Sequence, residues 1–310
     1  MKKKIFIDGK AGTTGLRIEQ RLMSRDDVEI ISLPEELRKD PVARKKIMNS
    51  ADVVFLCLPD AAAIEAVSMI ENENVVVIDA STAHRTNPDW AYGFAELGEE
   101  FERKIIDSKR IAVPGCHASG FIALVYPLVK SGILPKSALL TAHSITGYSG
   151  GGKGMIAEYE GEERNNLLDA PRQYGIAQKH KHIPEMVKIT ELDNAPVFCP
   201  IVADFYSGME VTVPLFKNQL NYGGIEEIKQ IYKNQYNSSI ISYNEANDES
   251  GFLSANKLGT KDSMSIEVYG NDDRIILVAR YDNLGKGASG AAVECLNIKL
   301  GCDKTKTLEL

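Results

Sequence analysis

The chain has 310 residues, 44% of them hydrophobic and 25% charged, which is the balance of a soluble globular protein of about two domains. Thirty-six Lys and Arg against 43 Asp and Glu give a formal net charge of −7, which argues against a general nucleic-acid binder but leaves room for a local basic pocket. No apolar run approaches the ~18 residues needed to span a bilayer, and the opening MKKKIFIDGK has too short an apolar stretch for a signal peptide, so no membrane partner and a cytoplasmic setting are expected.

Lys4–Asp8 reads as a short buried strand followed at once by Gly9, Gly12 and Gly15. Helical periodicity starts near Thr14 and runs through Leu16, Ile18, Leu22 and Met23. Val28–Ser32 is a second strand and Val42–Met48 a helix. Val53–Leu58 is a continuous apolar run, as a parallel strand covered on both faces requires. Asp60 is placed to cap an Ala-rich helix, and Val75–Asp79 is a further buried strand. This alternation predicts a Rossmann-type, doubly wound α/β domain.

The pattern changes after Arg110–Val113, where the turn Pro114–Gly120 leads into an apolar helix through Phe121, Leu124, Val125 and Leu128. Beyond about residue 135 the expected strands alternate: Leu139–Ile145, Gly208–Leu215, Ser265–Tyr269 and Arg274–Tyr281, with Asn271–Asp273 as a hairpin turn. Few helices interrupt them, Ile225–Gln235 being one. A second, α+β domain with a mostly antiparallel sheet is therefore expected. The final apolar helix, Gly290–Leu300, is read as packing back on the first domain. The expected division is a dinucleotide-binding domain over 1–115, completed by the C-terminal helix 288–310, and a catalytic, substrate-binding domain over 116–287.

Gly9-Lys10-Ala11-Gly12-Thr13-Thr14-Gly15 stands between a strand and a helix. There, glycines let the backbone turn tightly and bring a pyrophosphate to the free amides of the helix N-terminus. The spacing is G-x-x-G-x-x-G rather than the commoner G-x-G-x-x-G. At the end of the second strand, Ser32, Arg38 and Lys39 suit a 2′-phosphate and favour NADP, while Glu35 and Glu36 pull toward NAD.

The five cysteines, at 57, 116, 199, 295 and 302, lack metal-ligand spacing, so no metal is expected and reduced thiols are. Cys116 differs from the others because Pro114-Gly115-Cys116 puts it at the start of a helix after a strand. A helix N-terminus lowers a thiol's pKa and supplies amides for an oxyanion, so Cys116 is the candidate nucleophile. Two of five histidines fall in His180-Lys181-His182-Ile183-Pro184-Glu185, which offers a base and, in Glu185, an acceptor to orient it. Arg85 follows a strand C-terminus, where α/β proteins bind ligands, and is a candidate for an anionic substrate. Gly147–Gly154 looks like a phosphate-cradling loop but lacks Walker A spacing, and Asn283–Gly290 is another Gly-rich turn before a helix.

In this order, GKAGTTG, FLCLPD, DASTAHR, YGFAEL, VPGCHASG, TGYSGGGKG, HKHIPEM and DNLGKGASGAA resemble the N-acetyl-γ-glutamyl-phosphate reductase family in its shorter form, over nearly the whole chain. The resemblance implies NADPH-dependent reduction of an acyl phosphate to a semialdehyde through a thioester on Cys116, in arginine biosynthesis. It also implies an acid/base from the His180 and His182 pair, with Gly285, Lys286 and Gly287 close to the cofactor; Glu185, three residues past His182, favours His182 without settling the choice between the two. Arg85, Ser149, Gly150 and Gly151 become candidates for the substrate's phosphate or carboxylate, and a homo-oligomer, dimer or tetramer, is implied. The rivals are an aspartate-semialdehyde dehydrogenase, in which an Asn-Cys pair would replace Gly115-Cys116, and a cofactor-free cysteine hydrolase.

Overall fold

The computed structural model describes residues 2–310, which fall into two compact units. The first contains the chain up to Ala95, Glu99–Pro114 and Ala288–Leu308; the second contains Glu96–Gly98, Gly115–Gly287 and the last two residues.

In the first unit the elements run β1 (Lys3–Asp8), α1 (Thr13–Leu22), β2 (Val28–Ile31), α2 (Pro41–Ser50), β3 (Val53–Leu56), α3 (Asp60–Ser68), β4 (Val76–Asp79), β5 (Ala91–Tyr92), α4 (Glu99–Asp107) and β6 (Arg110–Ala112). The sheet has the order β2-β1-β3-β4-β6-β5 with every pair parallel. Strand side chains alternate between two cores. Ile5, Ile7, Val53 and Phe55 pack with Ile18 and Leu22 of α1 and with Val293 and Leu296 of the C-terminal helix Gly290–Lys299. Phe6, Val54 and Leu56 face Met48, Ala63 and Ala66 on the other side. The C-terminal helix is tied in by Asn297, whose Oδ1 accepts from Arg25 at 2.5 Å and whose Nδ2 donates to the Lys304 and Lys306 carbonyls. Strand order reverses between β1 and β3, the switch point at which open α/β sheets take ligands.

The second unit carries α5 (Cys116–Lys130), β7 (Thr141–Gly147), α6 (Gly152–Glu160), β8 (Arg172–Gln173), α7 (Ile183–Thr190), β9 (Val197–Ala203), β10 (Met209–Phe216), α8 (Ile225–Gln235), β11 (Ile241–Tyr243), β12 (Met264–Gly270) and β13 (Arg274–Tyr281). Its seven-stranded sheet, β11-β12-β13-β10-β7-β9-β8, is antiparallel except at β7–β9 and β11–β12. The β12–β13 hairpin turns on Gly270, at φ +113°, and on the Asn271 amide donating to the Arg274 carbonyl at 2.9 Å. Few helices interrupt the strands, as expected, α6 and α7 standing beside α8. Two strand readings differ. The strand β7 starts at Thr141, not Leu139, and runs on to Gly147. β9 went unread because Pro200 interrupts its apolar run, and proline removes a ladder donor.

Helix α5 lies across this sheet against β10 and β13 and is buried from His117 to Leu128. Pro127 within it has no amide to give the Ala123 carbonyl. The Tyr236 hydroxyl donates to that carbonyl at 2.7 Å, and the Tyr232 hydroxyl donates to the Leu124 carbonyl at 2.5 Å. Burial holds both phenols far above the ordinary tyrosine pKa, so they remain donors. Tyr236→Phe leaves the Ala123 carbonyl buried without this donor and is expected to cost about 1–3 kcal/mol in urea unfolding. An unchanged unfolding midpoint would contradict that. Among the described residues, no helix is long and apolar enough to cross a membrane.

Candidate active site

Gly9, directly after β1, has φ +81°, and a Cβ there would overlap the Cys57 carbonyl at the end of β3. A Cβ on Gly15 would come within 2.6 Å of Lys10 Cα, so the first turn of α1 needs glycine there for the loop to close. The Gly12 amide donates to the Gly9 carbonyl at 3.0 Å, and Gly12 caps α1 without a side chain. No acidic residue occupies the first turn, where Thr13 and Thr14 sit, so its amides and dipole are suited to a pyrophosphate. A dinucleotide fits this donor set. Ser32 is exposed just past β2, and Arg38 is exposed in an ion pair with Glu35 at 2.7 Å, a contact too weak to fix it. Sequence reasoning missed Arg44, which is buried in the first turn of α2 with Nη2 at 2.8 Å from Asp8 at the end of β1. Burial first, and then the charges of Asp79 and Asp8, push the Cys57 thiol up to about 12.

At the end of β4, the fully buried Asp79 accepts from the Ser81 amide at 2.9 Å, the Ser81 hydroxyl at 2.7 Å and His84 Nδ1 at 2.6 Å. His84 in turn stacks on Trp90 with ring centroids 4.0 Å apart. Arg85, expected to face substrate, is buried; its Nε donates to the Val113 carbonyl at 2.8 Å and its Nη2 to the Ala80 carbonyl at 3.0 Å. These bonds give it a task in holding the loop that the sequence did not reveal.

In the second unit Cys116 opens α5, with Gly115 as an extended N-cap that offers no side chain. The buried Glu185, in the first turn of α7, accepts from the Gly115 amide at 2.8 Å. Glu185, expected to orient a histidine, grips the turn that carries the thiol. His117 is buried against Ser144 Oγ through Nδ1 and Tyr174 Oη through Nε2, both at 2.6 Å. Burial first, and then His180, pull its pKa down to about 3, so the ring is neutral, donating at one nitrogen and accepting at the other. His180 and His182 stand 5.4 and 5.6 Å from the His117 ring and 4.8 Å from each other, with Phe198 completing the cluster. The His182 amide donates to His180 Nδ1 at 3.2 Å. Burial, and then the Lys181 charge, hold His180 near 4, so its proton sits on Nε2. Burial and the adjacent Cys116 sulfur hold the Tyr174 phenol above its ordinary range. Tyr174 carried no motif signal, and His117, although inside VPGCHASG, was given no role by the sequence.

Ser149 is buried, accepting from Asn283 Nδ2 at 3.0 Å, while Gly150 and Gly151 are exposed before α6. In the turn after β13, Asp282 Oδ1 accepts from the Leu284 and Gly285 amides at 2.7 Å each, and a Cβ on Gly285 would overlap the Lys261 carbonyl. The Lys286 ammonium is buried in an ion pair with Glu96 at 2.5 Å, which sequence reasoning did not anticipate for a residue expected at the cofactor. A Cβ on Gly287 would stand 3.0 Å from Cys116 Cβ, so glycine lets this turn lie close against the thiol-bearing residue. Among the described residues no group of three or more His, Cys, Asp or Glu is placed to hold a metal ion.

Residues 13–104 match the semialdehyde dehydrogenase NAD binding domain, and residues 116–283 match the semialdehyde dehydrogenase dimerisation domain. The chain belongs to the semialdehyde dehydrogenase family. Within that family it is 46% identical over 308 residues to the N-acetyl-γ-glutamyl-phosphate reductase of Sinorhizobium medicae, covering 97% of this chain and 99% of the relative. It is 44% identical to the reductase of the same name from Brucella ovis, covering 97% of this chain and 100% of that one. Two solved structures share the semialdehyde dehydrogenase fold at 15% identity. Aspartate semialdehyde dehydrogenase II from Vibrio cholerae gives a TM-score of 0.73 over 97% of this chain and 99% of its own. The enzyme from Francisella tularensis gives 0.72 over 96% and 99%.

Proposed function

We propose that the chain reduces N-acetyl-γ-glutamyl phosphate to N-acetylglutamate 5-semialdehyde and phosphate with NADPH, a step of arginine biosynthesis. The observation that carries this reading is the thiol of Cys116 at the start of a buried helix, beside a cluster of histidines, in a chain 46% identical to a reductase of that name. The Cys116 thiolate attacks the acyl carbonyl, the carbon–oxygen bond to phosphate breaks, and a thioester forms on the sulfur. The amides of the first turn of α5 face the oxygen that becomes negative. NADPH, when bound, supplies the hydride. The thioester carbonyl accepts it to give a thiohemiacetal on Cys116, whose collapse releases the aldehyde and returns the thiol.

His182 is the proton carrier in this scheme. A neutral His180 would have to accept a proton on Nδ1, and that lone pair is engaged by the His182 amide, so His180 serves as a fixed N–H donor. Gly9, Gly12, Thr13, Thr14 and Gly15 cradle the pyrophosphate, Ser32 and Arg38 take the 2′-phosphate, and the Gly285–Gly287 turn borders the reacting end. Arg85 braces the loop after β4 through backbone carbonyls, and Ser149–Gly151 hold the substrate's anionic groups. The match to a dimerisation domain supports a homo-oligomer, dimer or tetramer, and five cysteines standing as thiols suit the cytoplasm.

The deciding assay runs the reaction backwards. NADP⁺ reduction with N-acetylglutamate semialdehyde is expected to require phosphate and to exceed that with aspartate semialdehyde by about 100-fold or more in kcat/KM. The reverse preference would make the chain an aspartate-semialdehyde dehydrogenase, and a chain that binds no NADPH by fluorescence would have to be read as a hydrolase.

A further inference from the structure

The most unusual contact in the second unit is made by Tyr281, the last residue of β13, which is fully buried. Its hydroxyl donates to the Cys116 carbonyl at 2.5 Å and accepts from the Gly120 amide at 3.0 Å. Residues 116 and 120 are the carbonyl and amide that an α-helix pairs with each other. A side-chain hydroxyl therefore joins the two halves of a helical hydrogen bond in the turn that carries the thiol, an insertion of the kind that bends or widens helices.

The neighbouring tyrosines supply the contrast. Tyr236 donates where Pro127 has removed the natural donor, so its hydroxyl repairs a defect. No proline creates such a defect at Cys116, because residue 120 has its own amide. Glycine at 120 is needed for the contact itself: a Cβ there would come within 2.7 Å of the Tyr281 hydroxyl and 2.6 Å of Val211. Tyr281 also leads directly into the turn that Asp282 and Asn283 pin. Asn283 bonds the Gly208 amide at 2.9 Å and Ser149 at 3.0 Å, and Gly287 of that turn abuts Cys116. The Gly115 amide is gripped from the other side by Glu185. Cys116 is thus clamped between two buried groups, one acting before it and one on its own carbonyl.

We propose that Tyr281 is a positioning residue for the nucleophile, its hydroxyl bridging the Cys116 carbonyl and the Gly120 amide to set where the Cys116 sulfur stands relative to the first-turn amides of α5. The inference rests on the reading of Cys116 as the nucleophile. Burial, and then the field of the Cys116 sulfur, keep the phenol protonated and able to donate. Because those amides set both the ionisation of the sulfur and its line of attack, the hydroxyl acts on catalysis without touching substrate.

Tyr281→Phe keeps the ring and lets the Cys116 carbonyl and Gly120 amide close directly. The expected result is a kcat about 10- to 100-fold lower with KM within about two-fold. The pH midpoint for alkylation of Cys116 by iodoacetamide, read by mass spectrometry of its peptide, is expected to shift upward by about half a unit or more. Tyr236→Phe is the control, since it removes a comparable hydroxyl that bonds the backbone of the same helix, α5, and is expected to leave kcat and midpoint unchanged. Three results would overturn the proposal: a Tyr281→Phe chain with normal kcat and midpoint, one that does not fold, or a Tyr236→Phe chain showing the same shift. Alkylation of Cys116 that leaves turnover intact would instead sink the nucleophile reading on which the proposal stands.

Discussion

Cys116→Ala is expected to abolish turnover, by a factor of about 10⁴ or more in kcat, while NADPH binds as before. Without the sulfur no thioester forms, and the hydride has only an acyl phosphate to attack in a site arranged for something else. Alanine is smaller than cysteine and Gly287 already lies against the Cβ, so the turn keeps its contacts and the fold its stability. The residues expected to hold the pyrophosphate, Gly9–Gly15, belong to the first unit, whereas Cys116 belongs to the second. Fluorescence titration should therefore give an NADPH affinity within about two-fold of the parent, and stopped assays no aldehyde-dependent NADP⁺ reduction. Residual activity above about one part in a hundred would mean that hydride transfer does not need the thioester, and the reading of Cys116 would fall. Cys116→Ser is the sharper companion. It keeps a hydroxyl at the same helix start, but an alcohol of ordinary acidity is a far weaker nucleophile, so it should fare little better than alanine.

What could be read in advance was local. The strands β1 to β4 are short, largely apolar runs, because both faces of a parallel sheet are covered, and they announce themselves, whereas the two-residue β5 does not. The turns carrying Gly9–Gly15 and Pro114–Cys116 are likewise local, a strand end, glycines and a helix start within a few residues. Strand β9 escaped because Pro200 breaks the same kind of run. Helix α6 escaped because it opens on glycines, whose helix propensity is poor. The groups that arm the site are a different matter. Gly115 meets Glu185 across 70 residues and Gly120 meets Tyr281 across 161, and no periodicity links such pairs. The same holds for His117 with Tyr174. Residue types that could do chemistry were visible at Cys116, His180 and His182. The partners that fix them were not, since a buried polar group is satisfied by whatever the fold brings near, at any distance along the chain. Arg85 shows the converse: an arginine at a strand end suggested an anion, and the structure shows two of its N–H donors on backbone carbonyls.

Stability is expected to fall with acid below about pH 6.5, well before the carboxylates titrate, and His117 is the reason. The folded chain holds this ring neutral, with a pKa pulled from 6.5 to about 3 because burial strips water from the imidazolium and His180 stands close by. The unfolded chain takes up a proton there below about 6.5. Between those values the unfolded state binds more protons than the folded one, so unfolding free energy rises with pH through the window and is flat above it. The slope from one histidine reaches at most about 1.4 kcal/mol per pH unit. His180, held near 4, acts in the same direction but more weakly, since it is partly exposed to water. Urea unfolding at pH 7 and pH 5 should show the loss, and His117→Gln, which can still bond Ser144 and Tyr174 but cannot titrate, should remove most of the slope. Equal stabilities at the two pH values, or a slope untouched by His117→Gln, would refute it. The same shift decides what His117 does in the reaction. A ring that stays neutral down to about pH 3 cannot carry a proton between thiol and product at neutral pH. It links Ser144 to Tyr174 beside Cys116, which agrees with the proposal of His182 as the proton carrier.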